Sequence, residues 1–328
     1  MGTPPGTFPH SGVGTISVSG PGLATSISDI SIAQDTSDIR RTKVTESFNV
    51  QLPGAGLYTM TWSSSSWVFG VPNASGAYGT TSTIYWDGSS ANAPILFDLE
   101  NIQQQVIRGT NYSDNLDAVG SGLTYDDTTL SSGMFAQATG YSIDSSGQVT
   151  ISAADTAGYA DNASNPGADM AFSGEINATD GSSVEFVWLF DAVNEGSGNL
   201  APEIQDVVIN ALVGDTIEET LVVTDPNGDP LTVDFINFVG EGGVMPGNAL
   251  FDPSTWDFTW DSTGFAPGQY IATFRASDGN GLTDQGTITI NLRDPSDPPV
   301  TVPVPATGLV LITGMGLFSL YRRKSRKS

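Results

Sequence analysis

The chain of 328 residues has no cysteine and a single histidine, His10. Without cysteine there is no disulfide framework, no thiolate nucleophile and no Cys-ligated zinc or iron–sulfur centre. One histidine, in Pro9-His10-Ser11-Gly12, leaves no partner for a Ser-His-Asp relay or a two-His metal site. Basic residues are nearly as scarce. There are 11 Lys plus Arg against 36 Asp plus Glu, and Arg322, Arg323, Lys324, Arg326 and Lys327 all fall at the extreme C-terminus. The body therefore has no basic footprint for phosphate, which excludes nucleic acid as its partner. With most catalytic routes missing, the chain reads as a non-enzyme.

Helical periodicity is also nearly absent. Residues 98–107 place Leu99, Ile102 and Val106 at helical spacing, yet read equally well as a long strand. Glycine is plentiful, at 38 residues, among Ser, Thr, Asp, Asn and β-branched and aromatic runs. That composition predicts an extended all-β protein. At roughly 100–200 residues per domain, the length predicts two domains.

Residues 1–42 read as an irregular N-terminal segment or first strands. From 43 to 193, strand-like segments at 44–52, 57–62, 83–86, 135–143, 149–153, 170–176 and 184–190 alternate with turn-rich loops, which predicts one large β-sandwich of jelly-roll type. Segment 184–190 is apolar on both parities and is expected to be buried on both faces. A flexible linker, 194–200, leads to a second unit at 201–295. Its strand-like segments are 203–209, 216–224, 231–238, 249–251, 256–260, 269–277 and 286–292. Seven short strands in about a hundred residues is the profile of an immunoglobulin-like sandwich.

The acidic loops of this unit carry a possible ligand chemistry. Calcium takes about six to eight oxygens from carboxylates, amides and carbonyls on a tightly turned loop. Asp225-Pro226-Asn227-Gly228-Asp229 offers oxygens at alternate positions around a glycine, and Asp278-Gly279-Asn280 with Asp284 can do the same at a neighbouring loop. Asp225, Asn227, Asp229, Asp278, Asn280 and Asp284 are thus candidate calcium ligands. The same residue types also make good turns without any ion.

The ordered series Ala201-Pro202-Glu203-Ile204, Val223-Thr224-Asp225-Pro226-Asn227-Gly228-Asp229-Pro230, Leu250-Phe251-Asp252-Pro253, Phe258-Thr259-Trp260 and Ala276-Ser277-Asp278-Gly279-Asn280-Gly281 closely resembles bacterial cadherin-like or Ig-like domains of the dystroglycan type. The resemblance covers nearly all of 201–293 and implies an Ig-like fold. The chain departs from that family at Thr255-Trp256, where Thr-Gly is usual.

Beyond the Pro-rich stretch 296–305 lies an uncharged segment, 306–321, and then a basic tail, 322–328. As a helix the segment spans about 24 Å at about 1.5 Å per residue, a little short of a roughly 30 Å hydrocarbon core. It is expected to be a transmembrane helix with Tyr321 and the first arginines snorkelling into the interface. The basic end then stays cytoplasmic and the acidic body lies on the other side.

Val302-Pro303-Val304-Pro305-Ala306, the apolar stretch, and Tyr321-Arg322-Arg323-Lys324 resemble, in that order, the PEP-CTERM sorting signal in its Val-Pro-Leu-Pro-Ala variant. This implies a Gram-negative surface protein that passes through the inner membrane to the cell surface or medium. Its tail would be recognised by an exosortase and cut near Pro303, Val304, Pro305 and Ala306, with Arg322, Arg323 and Lys324 as the membrane anchor's basic flank. The plainer alternative is an anchor that is never cut. The first forty residues show no basic n-region followed by an apolar h-region. Either the start is truncated or misassigned, or the export reading fails.

Together these features predict a non-catalytic cell-surface or extracellular-matrix protein. Its second domain would be adhesive or calcium-binding, and its partners extracellular polysaccharide or other matrix components. The alternative is a carbohydrate-binding, lectin-like or glycoside-active first domain, motivated by Tyr58, Trp62, Trp67, Tyr85 and Trp86 in a Ser/Thr-rich region. Rings of that size also suit a core.

Overall fold

The computed structural model describes residues 14–27, 31–37, 43–65, 71–89, 96–97, 103–120, 122–161, 168–196, 198–241 and 244–296. His10, Trp67, the sorting motif at Pro303–Ala306, the expected membrane helix and the basic flank lie outside them. Among the described residues no helix is long and apolar enough to cross a membrane. The described residues up to Arg293 make one compact unit. This unit contains separate hydrophobic cores for its first and second halves.

The first half is built on a nine-stranded sheet. Its main path runs Thr124–Asp126, Met170–Asn177, Ser183–Val193, Ala74–Trp86, Gly56–Ser64, Thr15–Gly20 and Leu23–Ile27. Ser132–Met134 adds to Ala74–Trp86, and Gln103–Ile107 runs parallel to Ser183–Val193. A smaller sheet of Ser142–Ile143, Gln148–Ile151 and Tyr112–Asn115 covers one face. Strand Ser183–Val193 organises the layers. Phe186, Trp188, Phe190 and Ala192 point into the core shared with Val149 and Ile151, while Val187 and Leu189 pack on the other side against Ala74, Met134 and Ala171. Both faces of this strand are covered, as its apolar residues on both parities require.

Several expectations need correction here. The layers are unequal, nine strands against three, rather than the balanced sheets of a jelly roll. Of the two readings of residues 1–42, the described part takes the second: Thr15–Gly20 and Leu23–Ile27 are strands of the main sheet. Segment 135–143 is not one strand, and only Ser142–Ile143 within it is extended and paired. Strand Gln148–Ile151 gives way to a short helix, Ala153–Ala157, because Ser152 caps it by accepting the Asp155 N–H on its Oγ. Of the ambiguous 98–107, the described part is strand Gln103–Ile107. Gln104 and Val106 alternate inward at period two while the backbone pairs with Leu189–Val193.

The second half is an Ig-like sandwich. One sheet orders Val207–Leu212, Thr283–Arg293, Gly268–Asp278 and Leu231–Gly240, and the other Thr216–Thr220, Asp257–Asp261 and Leu250–Asp252. A further pair joins Glu203–Ile204 to Val223–Thr224. The expected single strands 203–209 and 216–224 are therefore each broken in two. The first break lets the chain switch sheets, from antiparallel pairing with Val223–Thr224 to parallel pairing with Thr283–Arg293. At the switch the Asp206 carboxylate accepts the Thr287 N–H at 2.9 Å, where a backbone carbonyl would otherwise serve.

Phe258, Trp260, Phe274, Ile288 and Ile290 are fully buried between these sheets. The Tyr270 hydroxyl donates to the Ala266 carbonyl at 2.8 Å, the short-range tie of a tyrosine corner. Tyr58 makes the same tie to Gly54 at 2.7 Å in the first half. Trp256, the residue that departs from the resembled family, sits at φ 63°, in the left-handed region where glycine is at ease. Its backbone N–H reaches Asp252 O at 2.7 Å, and its half-buried side chain packs on the core.

These two sites make opposed predictions. A left-handed non-glycine costs about 1–2 kcal/mol, and a half-buried ring returns about as much, given about 1.5–3 kcal/mol for a fully buried large apolar side chain. Trp256→Gly should therefore shift unfolding free energy by less than about 1 kcal/mol. Tyr270→Phe, a smaller change, should cost about 0.5–1.5 kcal/mol for the lost hydrogen bond. Urea unfolding of both variants checks this, and a loss above about 2 kcal/mol for Trp256→Gly would mean that the ring outweighs the backbone strain.

Candidate metal centre

Two turns of the Ig-like sandwich have the same construction. Asp225 Oδ1 accepts the N–H groups of Asn227 at 2.8 Å and Asp229 at 3.0 Å, and Gly228 turns the chain at φ 76°. Asp278 Oδ1 accepts those of Asn280 at 2.9 Å and Leu282 at 2.8 Å, and Gly281 turns at φ 96°. In each, the aspartate uses one oxygen to close its own loop, as Asp favours for turns. The second oxygen is left to point elsewhere.

The two turns bring carboxylates together. Asp225, Asp229 and Asp278 each offer an oxygen, and these oxygens lie within 4.8 Å of one another. Asp278 is buried, and Asp225 Oδ2 is buried with no hydrogen-bond partner. A buried carboxylate oxygen without a donor is costly, so this atom calls for a cation or a proton.

Amides surround the cluster. Asn199 Nδ2 donates to Asp278 Oδ2 at 2.5 Å, and Asn280 Nδ2 donates to Asp229 Oδ2 at 2.7 Å and to Asn199 Oδ1 at 3.3 Å. Asn227 holds the linker from the other turn, donating to Gly198 O at 3.1 Å and accepting from Leu200 N at 2.7 Å. The donor set is oxygen alone, with three carboxylates among amides, which suits a hard cation such as calcium better than zinc or copper.

Of the six candidate ligands, five are accounted for here, with Asn227 engaged by the linker. Asp284 is elsewhere. Its Oδ2 accepts the Ile204 N–H at 3.0 Å, and the charges around it are those of Asp114, Asp206 and Glu203. Counting along the sequence grouped Asp284 with Asp278, but strand Thr283–Arg293 has already left the turn at that point. Conversely, Asn199 was not among the candidate ligands, although it contacts Asp278 directly. Its only sequence signal is its place at the end of the Gly/Ser linker.

Among the described residues of the aromatic group, Tyr58, Trp62 and Trp86 share one face of the sheet and Tyr85 lies on the other. Tyr58 is fully buried, and Trp62, Tyr85 and Trp86 are half-buried. Tyr58 pairs across from Ile84 and Leu57 from Tyr85, so Tyr85 stands on the face opposite Tyr58 and Trp62. Trp62 packs edge-on against Tyr78, with ring centroids 5.1 Å apart.

No curated protein matches the chain. Among solved structures, a nucleoside hydrolase-related protein from Saccharophagus degradans, associated with carbohydrate metabolism, is similar at 20% identity and a TM-score of 0.23. It is covered over 26% of its own length by 29% of this chain. Drosophila N-cadherin EC1-3 is similar at 11% identity and a TM-score of 0.25, over 88% of this chain and 91% of that one. The N-terminal Ig1-2 module of the Drosophila receptor protein tyrosine phosphatase DLAR is similar at 13% identity and a TM-score of 0.26, over 61% of this chain and 99% of that one. Overlays this loose leave function to the chain's own residues. The sequence of residues 199–291, the Ig-like sandwich with the end of its linker, matches the family described as Bacterial Ig domain.

Proposed function

We propose that this chain is a non-catalytic exported surface or matrix protein whose Ig-like domain binds calcium where the linker enters it. The observation that carries this reading is the Asp225, Asp229 and Asp278 cluster, with its orphaned Asp225 Oδ2 and its amide ties to residues 198–200. Calcium there would answer the buried oxygen and the concentrated negative charge. Rotation of the Asn199 and Asn280 amides would present oxygens where they now present N–H groups. Because the ligands hold the linker, binding would stiffen the chain's entry into the domain, a property suited to a module displayed outside the cell.

The C-terminal part of the proposal rests on sequence. The Val302–Ala306 motif, apolar segment and basic flank support recognition by an exosortase, cleavage near Pro303–Ala306, and release or attachment at the surface among extracellular polysaccharide and other matrix components. The strong acidity of the body, 36 acids in a chain of low basic content, suits a soluble exported domain.

Two measurements test these parts separately. Extracellular calcium modules bind with Kd of about 0.1–1 mM. Free calcium at 10 mM, about ten- to a hundredfold above such Kd values, stabilises by about 1.4–2.7 kcal/mol, so the melting midpoint should rise by about 3–10 °C between chelator and 10 mM calcium. The rise should vanish in Asp278→Asn, and an unchanged wild-type midpoint removes the calcium proposal. Mass spectrometry of the protein from its native envelope and medium should find a terminus between Asp297 and Ala306. An intact Ser328 would instead make the tail a permanent anchor.

A further inference from the structure

A cleft of about 510 Å³, open to solvent, lies between the first sandwich and the start of the Ig-like domain. Strands Gln103–Ile107 and Tyr112–Asn115 line one wall, and residues 200–206 with Pro226 and Asp284 the other. The Ala201 N–H joins the two walls by donating to Gln105 Oε1 at 3.0 Å. The volume falls within the range of about 300–1,000 Å³ usual for small-molecule sites. Among the described residues that line it there is no lysine, arginine or histidine.

Side-chain amides dominate the polar lining, and four of them are built alike. Each has a donor end and an acceptor end, of which one is held by the protein and the other is left over. Gln104 donates through Nε2 to Asp114 Oδ2 at 3.3 Å, and Gln148 through Nε2 to Ser113 Oγ at 3.0 Å. Their Oε1 atoms have no hydrogen-bond partner among the described residues. Gln105 accepts the Ala201 N–H and Asn111 Oδ1 the Ala153 N–H at 2.8 Å. Their amide nitrogens are likewise without a partner among the described residues. Gln104 is only 6% exposed, so its spare oxygen belongs to a side chain already taken out of water. Anchoring one end fixes the direction of the other, and the lining therefore presents two oriented acceptors and two oriented donors.

We propose that this cleft binds a neutral saccharide, held by the spare ends of Gln104, Gln105, Asn111 and Gln148. A hydroxyl both donates and accepts, so a row of them matches a lining that offers both roles at fixed positions. Anionic ligands such as phosphates and uronates find no cation there. A cationic ligand would leave the spare amide nitrogens of Gln105 and Asn111 unmatched. Gln205, exposed on the Ig-like wall, adds a further amide at the rim. Exposed Pro226 and half-buried Ile107 supply apolar surface, on which the C–H face of a sugar ring can lie. The site differs from the aromatic group of the first sandwich and does not depend on the calcium reading.

Titration of the full-length chain with short malto-, cello-, manno-, galacto- and chito-oligosaccharides tests this, with chelator present throughout so that cations at Asp225, Asp229 and Asp278 play no part. At least one of these sugars should bind saturably at millimolar concentration, with an affinity insensitive to salt because no charge is paired. Hydrogen exchange in its presence should slow at 103–107 and 200–206 and stay unchanged at Gly56–Ser64 and Ala74–Trp86. Gln148→Ala and Gln205→Ala should each weaken binding about two- to tenfold, the worth of one neutral hydrogen bond, with an unchanged melting midpoint showing that the fold is kept. Absence of saturable binding by every sugar in the set overturns the proposal. So does protection that maps to the aromatic strands instead, or spermine, tested alongside, slowing exchange at 103–107 and 200–206 where the sugars do not.

Discussion

An aspartate that accepts the backbone N–H two residues further on is an interaction this structure uses repeatedly to turn its chain. It closes turns at Asp87, Asp126, Asp144, Asp180, Asp225, Asp252, Asp261 and Asp278. At Asp126, Asp144 and Asp252, a hydroxyl two residues on and then its N–H hold the carboxyl below the ordinary range. Such turns keep their contribution at neutral pH and lose it as pH falls through the depressed values. In a chain without disulfides, ionised acids thus set many of the corners between strands. The acidity is in this sense structural before it is anything else.

The Ig-like domain brings two of these turns to the same end. Each spends one oxygen on its own loop, and the remaining oxygens converge with Asp229 beneath the linker. A cation site here needs little machinery beyond the turns, which is why turn former and ligand were indistinguishable in the sequence. The geometry separates the roles by atom. Asp225 Oδ1 closes the loop, while Asp225 Oδ2 is buried and without a donor. A few residues on, Asp284 is used differently, its Oδ2 accepting the Ile204 N–H at 3.0 Å.

The sequence was most readable where side-chain period and burial agree. Segment 184–190 announced a strand covered on both faces, and Phe258, Trp260, Ile288 and Ile290 fall where alternation puts them. It was least readable where pairing is non-local. Nothing in 203–209 reveals that the chain changes sheets at Asp206, because the partner atom, Thr287 N, lies far along the chain. The balance of nine strands against three depends likewise on pairings such as Gln103–Ile107 with Ser183–Val193. In the site, the paired turns were legible from Asp-Pro-Asn-Gly-Asp and Asp-Gly-Asn-Gly. The exclusion of Asp284 and the contact of Asn199 with Asp278 were not, since both depend on where strands leave a turn.

The account therefore rests on the claim that the convergent oxygens of Asp225, Asp229 and Asp278 form one cation site. Calorimetric titration of calcium into chelator-stripped full-length protein measures this most directly. The account predicts a single site per chain with Kd in the range of about 0.1–1 mM for extracellular modules, abolished in Asp225→Asn. Titration to several millimolar calcium with no saturable heat, and equally none by equilibrium dialysis, would contradict it and leave the cluster as two turns that happen to meet.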